Sequence, residues 1–137
     1  MTERIDFSAL TRAERIVLVS GVLTVVNGMI PWWYRYETAR GSVTFNAGLQ
    51  GWGVLAIGCG ALAALGVLVR AWFWPSPAPA RDGLAYATLG MAAIVALIVQ
   101  ALDARGEWLG LWAGITMAVA LTAGGLQRRR DRARGWR

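Results

Sequence analysis

Residues 27–43 read NGMIPWWYRYETARGSV. An apolar run ends here in a proline and three aromatic rings, and charge follows at once. Pro31 has no N–H, so it cannot donate to the carbonyl of Asn27 four residues back. Trp and Tyr concentrate where a bilayer meets water. The stretch therefore reads as the end of a membrane helix where it leaves the lipid. Asn27 has two expected uses, either local backbone groups near the proline or a bond across to another helix. A ligand contact is a third.

Beyond this stretch, the chain of 137 residues is 56% hydrophobic, and its apolar residues fall into four long runs. These are Ile16–Trp33, Leu49–Val69, Leu84–Leu102 and Trp108–Leu126, none with an ionisable residue in its interior. Each approaches or passes the roughly 18 residues that a membrane helix needs. Four such runs leave too little polar chain to cover a soluble core. The sequence predicts an all-α membrane protein, a single four-helix transmembrane bundle spanning residues 1–137. Its helices are expected over about 11–32, 49–73, 83–102 and 108–127, with a basic cytoplasmic tail over 128–137. The first run is longer than the apolar part of a signal peptide, about 7–15 residues, and lacks a small-x-small cleavage site, so it is expected to stay in the mature protein.

All fourteen basic residues are Arg. Eleven lie in the N-terminal segment, the 70–83 connection and the tail, and only Arg35, Arg40 and Arg105 lie on the other side. By the positive-inside rule both termini are cytoplasmic. Trp32, Trp33, Tyr34 and Tyr36 then fall at the outer interface as belt residues, joined by Trp108 and Trp112, while Trp72 and Trp74 mark the inner one.

Local signals fill in the outline. Thr11-Arg12-Ala13-Glu14 fits a capping box at the start of the first helix. Tyr34, Tyr36 and Thr38 alternate, as do Val43 and Phe45, with Ala39-Arg40-Gly41-Ser42 between them. The pattern predicts a small extracytoplasmic β-hairpin between helices one and two. Gly53, Ala56, Gly60, Ala63 and Ala64 fall near one face of helix two. Gly110, Gly114, Ala118 and Thr122 recur every fourth residue in helix four. Such faces let backbones approach closely, inside the bundle or against a partner subunit or a second copy. Pro75-Ser76-Pro77-Ala78-Pro79 predicts a short extended link that makes helices two and three neighbours.

The residue types present exclude much chemistry. There is no His and one cysteine, Cys59. No His-ligated haem or zinc, no paired-cysteine exchange and no His-activated nucleophile can be built. Asp103 and Glu107 are expected at an exposed turn, where nothing would raise a carboxyl pKa for acid–base work. Proton-coupled export needs an ionisable group within the membrane, and every charge is expected at or beyond a helix end. No enzyme activity and no cofactor are expected. The basic residues Arg128, Arg129, Arg130, Arg132 and Arg134 suit anionic lipid better than nucleic acid.

"LTRAERIVLVSGVL" followed by "MIPWWY" resembles the first helix of a group of small integral membrane proteins of actinobacteria. The matching residues are Leu10, Thr11, Arg12, Glu14, Gly21, Pro31, Trp32 and Trp33. The resemblance implies a four-helix layout and a bacterial plasma-membrane location, and assigns no catalytic residue.

Two functions are carried forward. The first is a non-enzymatic accessory or scaffold subunit that binds other membrane proteins, or itself, through Gly53, Gly60, Gly110, Gly114 and Ala118. The second is a binder or transporter of a lipid or small hydrophobe near the outer leaflet, using Asn27, Gln100, Trp33 and Trp112.

Overall fold

A computed structural model describes residues 10–45, 49, 51–73, 81–103 and 109–134. Among them are four helices and one two-stranded hairpin. In chain order they are α1 (Arg12–Met29), β1 (Tyr34–Thr38), β2 (Gly41–Phe45), α2 (Gly53–Phe73), α3 (Arg81–Asp103) and α4 (Leu109–Ala133). The helices form a closed ring in which α1 packs on α2, α2 on α3, α3 on α4 and α4 back on α1. Three helices are long and apolar enough to cross a membrane, over Gly53–Phe73, Asp82–Leu102 and Leu109–Asp131. The proline link after helix two, the turn over 104–108 and the chain beyond 134 lie outside the described residues. So do Trp74, Glu107 and Trp108.

The capping box at the start of α1 is present. Glu14 N–H donates to Thr11 Oγ1 at 3.3 Å, and Thr11 N–H donates to Glu14 Oε2 at 2.8 Å. α1 ends at Met29, three residues before the expected end at 32. The physical reason is Pro31, which disfavours the helical region for the residue before it. Ile30 sits at φ −82° and ψ 130°, extended backbone.

β1 and β2 pair antiparallel, Tyr34 opposite Phe45 and Thr38 opposite Gly41. Ala39 and Arg40 make the turn, and the positive φ that closes it falls on Gly41, at 122°. Glycine alone adopts that conformation without strain.

α2 buries Gly53, Ala56, Gly60, Ala63, Ala64 and Val67, the small-residue face expected from the sequence with one valine added. That face meets α1. A Cβ on Gly21 would stand 2.6 Å from the Gly60 carbonyl oxygen. The α3–α4 contact is as close, because a Cβ on Gly125 would stand 2.5 Å from the Ala87 nitrogen. Small residues are what permit such backbone approach in membrane bundles.

α4 runs six residues past the expected end at 127, so the basic segment is helical through Ala133 rather than a loose tail. Arg is a good helix former, and Arg128 is anchored by partners on the other helices.

The core has two parts. One holds Trp33, Tyr34, Ala56, Ala93, Ala96, Leu97, Leu111 and Ala118. The other holds Leu10, Val17, Ala63, Val67, Tyr86 and Leu121. They sit toward opposite ends of the bundle, and each caps a different polar centre.

Candidate functional site

At the hairpin end, Asn27 is buried and joins α1 to α4. Its Nδ2 donates to the Gly110 carbonyl at 2.9 Å. Its Oδ1 accepts from Trp32 Nε1 at 2.9 Å. The carbonyl that Pro31 leaves without its helical donor accepts from Trp33 Nε1 at 2.8 Å. Gly110 N–H donates to the Trp32 carbonyl at 3.2 Å, closing the knot. Of the expected uses of Asn27, the bond across to another helix is present, whereas the local backbone carbonyl is served by the Trp33 indole rather than by the Asn27 amide. Gly114 lies beneath, where a Cβ would stand 3.2 Å from Asn27 Nδ2.

This geometry corrects the belt assignment for two rings. Trp33 is 1% exposed and Tyr34 3% exposed. The extended turn at Ile30–Pro31 folds these rings back over the end of the bundle, where the Asn27 carbonyl needs a donor. Trp112 lies on the outside of α4 and is exposed, as an interface residue would be.

The four residues expected around an outer ligand do not converge on one cavity. Asn27 and Trp33 are in contact and satisfy each other. Gln100 Oε1 accepts from Trp52 N–H at 2.9 Å and ties the start of α2 to α3. Trp112 faces outward. The expected partner-binding residues Gly53, Gly60, Gly110, Gly114 and Ala118 are all buried within the chain itself.

The opposite end holds a charged centre. Glu14 is fully buried. Its Oε2 serves the cap, and its Oε1 pairs with Arg70 of α2 and Arg128 of α4. Arg128 Nη2 also stands 3.7 Å from Asp82 Oδ2 on α3. The Arg128 guanidinium lies 5.8 Å from the centroid of the Tyr86 ring, also on α3, within cation–π range. Each helix thus places a charge at one level. Sequence reasoning gave Glu14 only the cap and Arg128 only to lipid. The overlooked signal was positional. Glu14 opens α1, Arg70 closes α2, Asp82 opens α3 and Arg128 falls near the close of α4, so antiparallel packing brings all four to the same end.

Of the other basic residues proposed for lipid, Arg129, Arg130 and Arg134 are exposed, whereas Arg128 turns inward.

A third feature lies on the side of the bundle. Between α1 and α4 runs an open groove of about 400 Å³ walled by Ile16, Val19 and Leu23 on one side and Met117 and Ala120 on the other. Arg12 and Arg15 stand at one end. Among the described residues there is no group of three or more His, Cys, Asp or Glu side chains placed to hold a metal ion. Comparison with family models, curated proteins and solved structures gives no match.

Proposed function

We propose that this chain is a four-span, non-enzymatic protein of a bacterial plasma membrane that serves as an accessory or scaffold subunit for other membrane proteins. Both termini lie in the cytoplasm and the hairpin lies outside. The observation that carries this reading is the outer surface of α1. Val19, Val22, Leu23, Val26 and Met29 are all exposed along it, while its three charges, Arg12, Glu14 and Arg15, are confined to the first turn. Exposed apolar surface of that extent is costly in water and ordinary in lipid. α1 is about 27 Å long at 1.5 Å per residue, somewhat short for the bilayer core. Arginines that reach outward along their stems, together with slight local thinning, accommodate the difference.

The polar side chains at both ends are engaged in holding the helices together, which supports a structural role over a catalytic one. The small-residue faces are occupied within the chain, so a partner would meet the large side chains outside. On α2 these are Leu55, Leu62, Leu65 and Val69, all exposed.

Affinity purification from the native membrane in mild detergent, read by mass spectrometry, tests the role. A membrane protein recovered in stoichiometric amount is the expected result. A chain recovered alone, with its bundle intact, would contradict it.

A further inference from the structure

We infer that the outward face of α4, at its cytoplasmic end, binds the headgroup of an anionic phospholipid of the inner leaflet, with the phosphate held by Arg130 and Arg134 and Arg129 beside them. The inference rests on the membrane placement proposed above.

The face sets its own depth. Trp112, Val119 and Leu126 follow one another at steps of seven, and Arg130 and Arg134 continue at steps of four. All five are exposed, and these steps keep them on one side of a helix. Arg130 lies 18 positions after Trp112, about 27 Å along the axis. That is close to the thickness of a hydrocarbon core, about 30 Å. With the Trp112 indole at one interface, the hydrocarbon ends near Arg130. Arg134 stands about 6 Å further on, within a headgroup layer about 5–7 Å deep.

The two arginines are stacked by the backbone. α4 stays helical through Ala133, and Arg134 N–H donates to the Arg130 carbonyl at 3.1 Å. Side chains one turn apart are neighbours on a helix surface. Each guanidinium offers phosphate oxygens a planar fork, so the pair can close on a single phosphate.

Their charge is available. Among the described residues, Arg129, Arg130 and Arg134 have no ion-pair partner. Arg128, the first of the run, turns inward to Glu14 and Asp82. Asp131, the one carboxylate of residues 127–134, is half-buried. The cytoplasmic leaflet is negative, and each arginine near it adds to the attraction. A zwitterionic headgroup brings its own cation to the same place and gains less. Five arginines look alike in the sequence, whereas the fold turns one of them away from the lipid.

The test is native mass spectrometry of the full chain from an equal mixture of phosphatidylglycerol and phosphatidylcholine with identical acyl chains. The expected result is preferential retention of phosphatidylglycerol. Arg130→Gln and Arg134→Gln should each lower that preference about fivefold. Both positions are exposed and Gln is a good helix former, so the fold is kept. Arg40→Gln removes the same charge at the hairpin and should leave the preference unchanged. Soluble glycerol 3-phosphate at the lipid's concentration should not displace the lipid.

Equal retention of the two lipids by the unaltered chain would overturn the site. So would an equal loss in Arg40→Gln, which would mean attraction by net charge alone. Displacement by glycerol 3-phosphate would make it a site for soluble anions instead. Labelling of Arg40→Cys in a Cys59→Ala background with an impermeant maleimide reads the topology separately. A hairpin labelled from outside with no lipid preference removes the site alone. A hairpin labelled only from inside removes the topology, and the inner leaflet with it.

Discussion

The two ends of the bundle solve the same problem with different chemistry. At the hairpin end, α1 is tied to α4 by neutral hydrogen bonds around Asn27, which also relieve the backbone defect that Pro31 creates. At the other end, α1 is tied to α2 and α4 by a buried carboxylate between two arginines, with α3 adding Asp82 and Tyr86. The neutral knot joins two helices and the ionic one joins four. The difference lies in what failure leaves behind. A broken amide knot exposes a carbonyl and an indole N–H, whereas a broken carboxylate leaves two half-buried positive charges.

The largest expected effect therefore comes from Glu14→Ala. Removing one partner of a buried ion pair costs about 3–5 kcal/mol, and the Thr11 N–H loses its carboxylate acceptor as well. Unfolding in mixed detergent micelles should show a loss of that order. A loss below that of any single change at the hairpin end would break the comparison. Replacing the buried carboxylate and its two arginines with apolar residues, Glu14→Met with Arg70→Leu and Arg128→Met, sharpens it. The burial penalty disappears along with the attraction, so this triple variant should recover most of the stability that Glu14→Ala loses.

Asn27→Leu comes next. It removes two side-chain hydrogen bonds, each worth about 1 kcal/mol in a membrane bundle, so a loss of about 2 kcal/mol is expected in the same assay. Trp33→Phe keeps most of the ring and removes one donor to the Asn27 carbonyl. The expected loss is about 1 kcal/mol. The smallest effect is reserved for Gly58→Ala, between the two ends. A Cβ there meets nothing within 4 Å, and alanine favours a helix over glycine by about 1 kcal/mol. That variant should be neutral or slightly more stable, and a marked loss would mean that another surface packs on α2.

Much of this plan is legible in the sequence, for reasons that differ by element. The capping box and the small face of α2 can be read because each depends on neighbours one turn away. The hairpin can be read because alternation and a glycine coincide. Asn27 can be read in part, since Pro31 announces a carbonyl without a donor but not which indole will supply one. Trp33 misleads, because a ring beside a proline looks the same whether it faces lipid or folds over the bundle end. Arg128 misleads in the same way, since one arginine in a basic run differs from its neighbours only by what lies across from it. The groove between α1 and α4 leaves no local signal, because it is a space between side chains far apart in the chain.

The central claim is that α1, the shortest of the four helices, crosses the membrane. Thr2→Cys and Arg40→Cys, each in the Cys59→Ala background, test it with an impermeant maleimide on intact cells. The account predicts that Arg40→Cys labels at once and that Thr2→Cys labels only after the membrane is permeabilised. Labelling of both positions from the same side would place α1 outside the bilayer and contradict it.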